Sequence, residues 1–335
     1  MEKQRIVWID TAKGICIILV VLYHSLIHTH ADFLLSNTNL EIFFMPLYFA
    51  LSGIFFKTYS SFSNFVIRKI NKLIVPFLFF YILGSIILPL LLEFLSINLF
   101  SEYTLNELAM DCLYNHCRCV NGPLWFLLCL FISNLFFFVI VNATNNIKHI
   151  VFGALIFGFI GLLLSINKYE LPFCMSTSFT CMPFFCMGFM FNSMGLLYNQ
   201  IISRTQFILF IIGSILSIYL GAEEAVFSEN RYENPYTIHL LSFIGTLFIL
   251  LLSKRIGKIR FVSYVGRYSL IALCTHLFFI RIFYHLFHSV INRVSILFVL
   301  CSIFTIFSCY LIIPFFLKYL PKFVAQKDFL CVKQK

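Results

Sequence analysis

Apolar residues run through this chain in long blocks broken by short polar stretches. Marking off runs of roughly 17 to 25 apolar residues, the length that crosses a bilayer core as a helix, divides the chain at its polar breaks. About ten spans are predicted, over 12–30, 40–57, 73–97, 123–142, 149–166, 178–198, 206–221, 237–253, 261–287 and 294–317. The expected fold class is therefore an all-α polytopic membrane helix bundle. A single integral membrane domain would occupy 1–335 and end in a short basic tail, 318–335.

Composition excludes the main alternative. With 335 residues that are 61% hydrophobic and only 11% charged, including 44 phenylalanines, the chain is too apolar for a soluble single-core domain. The net charge of +10 could suggest nucleic acid, but the basic residues fall in short clusters between apolar runs, as cytoplasmic loops do. Nucleic acid is accordingly not an expected partner, whereas the lipid bilayer is. The opening MEKQR resembles a signal-peptide start, yet Asp10 and Lys13 interrupt the apolar region and no small-residue cleavage site follows, so the first span is read as uncleaved. Placing the N-terminus inside puts Lys57, Arg68, Lys69, Lys72, Lys148, Arg204, Lys254, Arg255, Lys258, Arg260 and the tail lysines in the cytoplasm. An even number of spans then leaves both termini cytoplasmic.

The first span, DTAKGICIILVVLYHSLIHTH at 10–30, carries the most chemistry. Lys13 and His24 are eleven residues apart, close to three turns, so both project from one helix face about 16 Å from each other. Ionisable groups inside a span are costly and usually face a bundle interior or a water-filled cavity, which makes this a polar seam. His24 can take a proton from a hydroxyl as that oxygen attacks a carbonyl; the alternative is a histidine bonded to a neighbouring helix for packing. His28 follows at i+4, but no third ligand completes a zinc site. Asp10 and Lys13 suit a helix start, through the dipole and by snorkelling; alternatively Lys13 binds an anion at a cytoplasmic mouth, ordered by Asp10.

Other stretches have unusual texture. Pro46 and Ser52-Gly53 permit a kink and close approach within 43–56. The loop expected before the third span sets Arg68, Lys69 and Lys72 just inside the membrane, for lipid headgroups or for a polyphosphorylated cosubstrate. Trp125 begins a span at interface depth, where tryptophan is a common anchor. His276 in the ninth span is either a second polar group or a packing histidine. Cys112, Cys117 and Cys119, with His116, lie on the longest outer loop. They lack a second ligand pair for zinc and leave two readings, free thiols or a disulfide to Cys174 or Cys181.

Six segments in order, DTAKG with His24, MPLYFALSG, IRKINKLIVPF, GPLWFL, MPFFCMGFMF and YVGRYSLIALCTH, make the chain resemble the acyltransferase-3 family over about residues 8–290. It looks most like the small bacterial enzymes that O-acetylate surface sugars, the fucose O-acetylase-like branch. The family's basic residue, ten others and a histidine match Lys13 and His24. Many members have Arg first, and Lys keeps the charge but loses the bidentate fork. The family's basic cluster matches Arg68, Lys69 and Lys72, and its Gly-Pro-X-Trp matches Gly122, Pro123 and Trp125. Phe44 departs from the histidine that many relatives carry before Met-Pro. No hydrolase-type domain follows, so the stand-alone members are the nearer likeness.

The resemblance implies a membrane O-acetyltransferase of a bacterial plasma membrane, moving acetyl from cytoplasmic acetyl-CoA to a sugar hydroxyl of a surface or exported polysaccharide or its lipid-linked precursor. On this expectation His24, Lys13 and Asp10 are catalytic, with Arg68, Lys69 and Lys72 binding CoA and Arg255, Lys258 and Arg260 as further candidates. Trp125 and His276 would contact substrate, and no metal is expected. A transporter or flippase of lipid-linked glycans, using the same seam without acyl transfer, is the alternative.

Overall fold

The computed structural model describes residues 5–31, 41–59, 61–90, 103–195 and 225–331, with scattered residues between 197 and 215. It is a polytopic all-α membrane bundle. In chain order the helices are α1 (Val7–His28), α2 (Glu41–Ile54), α3 (Phe62–Leu90), α4 (Leu105–Leu113), α5 (Arg118–Asn121), α6 (Trp125–Ala143), α7 (Ile147–Ile166), α8 (Met175–Thr180) and α9 (Met182–Ser193). After a two-residue hairpin, β1 (Ala225–Val226) with β2 (Arg231–Tyr232), come α10 (Pro235–Ile256), α11 (Arg260–Arg267), α12 (Ser269–Phe287) and α13 (Val294–Tyr319). Seven of the described helices are long and apolar enough to cross a membrane, and α8 with α9 forms a further pair bent by 57°.

Several elements differ from expectation for identifiable reasons. α2 has only 14 residues, about 21 Å, which falls short of a hydrocarbon core. It is buried along almost its whole length, so neighbouring helices rather than lipid meet its ends. The third span begins at Phe62 rather than 73, capped by the Ser61 hydroxyl accepting from the Asn64 N–H (3.2 Å). Arg68, Lys69 and Lys72 therefore sit on a helix and not in a loop. Pro76 lacks an N–H and crowds the carbonyl four residues back; a π-turn at Ile70–Ile74 absorbs that defect without breaking the helix. The 261–287 run is split at Tyr268 into α11 and α12. The 206–221 run lies for the most part outside the described residues.

The tail also departs from a simple basic extension. Its described part folds back onto α3, where the buried Asn71 side chain donates to the Leu330 carbonyl (2.9 Å) and accepts from the Phe329 and Leu330 N–H groups (3.0 and 2.7 Å). Lys72 donates to the Ala325 carbonyl, and Phe323 stacks on Phe79 with ring centres 4.7 Å apart.

Two helix crossings set the core. On α2 and α9, a Cβ at Gly53 would stand 1.9 Å from the Phe185 carbonyl oxygen, and one at Gly188 would stand 1.8 Å from that of Ala50. On α1 and α11 the same reciprocal contact joins Gly14 to the Val262 carbonyl and Gly266 to that of Asp10, at 2.0 and 1.9 Å. Lipid offers no hydrophobic drive between helices, so such backbone approach is how they gain packing. The outward faces of α7 and α13 are apolar, with Phe152, Phe159, Ile303 and Leu311 exposed.

Candidate functional site

Three cavities follow one another through the bundle, starting at the end where Arg5, Asp10 and Lys13 lie. The first, about 560 Å³, is lined by Arg5, Asp10, Lys13, Phe55, Lys57 and Asn192. The second, about 400 Å³, shares Lys13 and Phe55 with it and adds Lys69, Lys72, Asn134 and Ser269. The third, about 290 Å³, holds His24 with Tyr23, Glu41, His116, Arg118, Trp125 and Ser228. Tyr48, Phe126 and Leu273 line both the second and the third.

The Lys13–His24 spacing on α1 thus places one residue at the basic end and the other in the far cavity. Lys13 Nζ lies 5.0 Å from the centre of the Phe55 ring, at the wall between the first two cavities. Asp10 does not order Lys13 through a hydrogen bond. Its carboxylate is held in a two-pronged pair by Arg5, Nε donating at 2.6 Å and Nη2 at 3.0 Å.

Of the basic cluster, Lys69 and Lys72 reach the second cavity and Arg68 does not. One residue is about 100° of helix turn, so Arg68 points to the neighbouring face, where its guanidinium lies 4.8 Å from the Tyr59 ring centre. Lys72 stands 3.9 Å from Asp328 of the tail. Arg255, Lys258 and Arg260 line none of these cavities.

At the far end the His24 ring lies 5.4 Å from Tyr23 and 5.2 Å from the ring of His276 on α12. His276 is fully buried, and its Nδ1–H donates to the Ala272 carbonyl (2.9 Å). That bond fixes the tautomer, leaving the Nε2 lone pair buried without a partner. Trp125 is buried in the cavity wall rather than anchored at a lipid interface, because Pro123 starts a tight turn that tucks the start of α6 inwards.

The third cavity's roof comes from loops distant in sequence. Arg118 pairs with Glu229, which also takes Arg231 at 2.8 Å, and Glu41 accepts from the Phe227 N–H (3.0 Å). His116 Nδ1 lies 3.4 Å from Cys174 Sγ and its Nε2 3.7 Å from Glu170. Burial pushes the His116 pKa down, with Glu170 partly opposing. Cys112, Cys117, Cys174 and Cys181 are free thiols, and no cluster of three metal-ligating side chains occurs among the described residues.

The sequence model of the acyltransferase-3 family, an acyltransferase domain, matches residues 6–314, nearly the whole chain and every helix that lines these cavities. The chain belongs to the acyltransferase-3 family. It is a multi-pass membrane acyltransferase. No curated protein and no solved structure matches it.

In this acyltransferase, sequence reasoning missed Tyr48, Glu41, Arg118 and Ser228 as cavity residues. Tyr48 lay within the MPLYFALSG segment and could have been flagged as a phenol in an otherwise apolar run. The Arg118–Glu229 pair joins loops more than a hundred residues apart, so no local pattern announces it.

Proposed function

We propose that this acyltransferase carries acetyl from cytoplasmic acetyl-CoA to a sugar hydroxyl of a surface or exported polysaccharide, or of its lipid-linked precursor, in a bacterial plasma membrane. One observation carries the reading: a cavity lined by lysines and a cavity lined by a histidine meet across a single wall of three side chains. Lys13, Lys69 and Lys72 suit a polyphosphorylated donor, since ammonium groups in a low-dielectric cleft concentrate anions. The basic end of the bundle then faces the cytoplasm, in keeping with the Lys/Arg bias.

The acyl end of the donor passes the wall towards His24. The third cavity combines aromatic faces, Tyr23 and Trp125, with polar groups, which suits one sugar unit with an apolar face and a hydroxylated rim. His24 takes the hydroxyl proton as the oxygen attacks the thioester carbon, and returns it to the departing thiolate. His276, whose Nε2 is buried without a partner, lies beside the His24 ring as a second imidazole.

Mass spectrometry of surface glycans from cells with and without the protein tests the reading, with His24→Ala inserted at normal levels as the third arm. Loss of one acetyl group per repeat in both altered strains is expected. Glycans that reach the surface in smaller amount but with unchanged acetylation would point to transport and overturn it.

A further inference from the structure

The acyl transfer proposed above passes through a tetrahedral centre whose oxygen carries a full negative charge, and a dry site must meet that charge with a donor already in place. Only three described residues line both the lysine cavity and the His24 cavity: Tyr48, Phe126 and Leu273. Phenylalanine and leucine side chains have nothing to donate. Tyr48 is 8% exposed, its ring is wedged 5.4 Å from that of Phe126, and its hydroxyl is buried without a partner in hydrogen-bonding geometry. Ser269 and Cys16 are near enough to interact with it electrostatically but stand outside hydrogen-bonding geometry, and Cys16 Sγ donates instead to the Phe44 carbonyl (3.1 Å). Of the other neutral donors of the lysine cavity, Asn134 is committed to the Leu130 carbonyl (2.7 Å), and Ser52 and Ser269 line that cavity without reaching the His24 cavity. A buried hydroxyl left unpaired costs stability unless a ligand completes it. Its place at the joint between the two cavities is where a thioester carbonyl must sit if CoA is on one side and the acceptor on the other.

We infer that the Tyr48 hydroxyl is the oxyanion donor of the transfer, a catalytic residue that hydrogen-bonds the thioester oxygen as His24 deprotonates the acceptor. This rests on the acetyl-transfer reading. The acceptor oxygen bonds to the thioester carbon while its proton passes to His24, and the carbonyl electron pair moves onto oxygen, facing the Tyr48 O–H. Collapse restores the C=O bond and breaks the C–S bond, and the CoA thiolate takes the proton from His24. Tyr48 keeps its proton throughout, so no further reactant is needed.

The test uses full-length protein in detergent micelles, with acetyl-CoA and envelope glycan extracted from cells lacking the protein. CoA thiol release and glycan acetylation are followed together, and acetyl-CoA binding is measured separately. Tyr48→Phe keeps the ring and its packing on Phe126. It should lower kcat by about 10² to 10³-fold, the usual effect of losing one such donor, with KM and binding for acetyl-CoA within about threefold of wild type. Tyr48→Leu, which also loses the ring, should do no better. Wild-type kcat in a folded, donor-binding Tyr48→Phe protein would remove the assignment. So would a loss confined to donor binding, which would make Tyr48 part of the cavity wall alone. If the wild-type protein itself neither releases CoA nor acetylates glycan, the acetyl-transfer reading falls and takes this inference with it, a result distinct from failure of the variant alone.

Discussion

The lysine cavity and the histidine cavity share a wall and four helices, α1, α2, α6 and α12, yet they handle charge in opposite ways. Among the residues lining the first there is no carboxylate; Lys13 rests on Phe55 and Lys69 lies 5.4 Å from Phe65, while Lys72 reaches the tail, 3.9 Å from Asp328. In the second, charged groups are matched nearby: Arg118 and Arg231 by Glu229, and Glu41 by a backbone N–H, while the His116 ring stands 3.7 Å from Glu170. A cavity in which Lys13 and Lys69 have no carboxylate in ion-pair range among the described residues is prepared for an anionic ligand. One whose charges are already neutralised offers hydrogen bonds to an uncharged polar one. On the acetyl-transfer proposal, the difference divides recognition of donor and acceptor between the two ends and leaves Tyr48 and His24 to act on the reacting atoms.

The comparison breaks most sharply at His24. His24→Ala should cut acetyl transfer by about 10² to 10⁴-fold, the range for a lost general base, while acetyl-CoA binding stays near normal. A fall in donor affinity of similar size would erase the division between the cavities. Next in size, Lys69→Ala with Lys72→Ala should weaken acetyl-CoA binding by about 10²-fold or more, taking two charge-assisted hydrogen bonds at about 1.5–3 kcal/mol each. Arg68→Ala alone should change it less than about twofold, because Arg68 faces Tyr59. Isothermal titration of the three proteins separates these outcomes.

A smaller effect concerns what closes the lysine end. Asn71→Ala removes three hydrogen bonds to Phe329 and Leu330 and should speed tryptic cleavage at Lys327, with the loss of about 1–3 kcal/mol expected for unsatisfied buried partners. Equal cleavage rates would mean that Phe323 and Val324 hold the segment without Asn71.

The smallest is a pH effect at the histidine end. Since burial holds the His116 pKa below its ordinary value, the unfolded chain binds a proton there more readily than the folded one. The contribution of His116 to stability is therefore complete above about pH 6.5 and declines as pH falls below it. Thermal unfolding at pH 7.5 and 5.5 should show a larger drop for the wild type than for His116→Gln.

Much of the architecture was legible because membrane spans announce themselves by length and apolarity, as Ile147–Ile166 and Val294–Tyr319 do within a few residues of expectation. What failed was finer. The helix at 62 begins before its apolar run does, since Asn71 and three basic residues sit on it and the polar texture looked like a loop. The break at Tyr268 was hidden because apolar residues continue across it. Of the site, the Lys13–His24 seam was readable from helical spacing. The exclusion of Arg68 was not, because it depends on which face of α3 meets α6.

By itself the sequence determined that this is a polytopic helical membrane protein of the acyltransferase-3 family, and that one helix face carries an ammonium and an imidazole three turns apart. Those follow from local quantities, hydropathy and helical period, that need no partner. Tertiary structure alone decided that Asp10 belongs to Arg5, that His276 sits 5.2 Å from His24, and that Tyr48 stands at the joint of two cavities. The last two join residues through helix packing set by close backbone approach and side-chain volume, and such contacts leave no periodic trace along the chain.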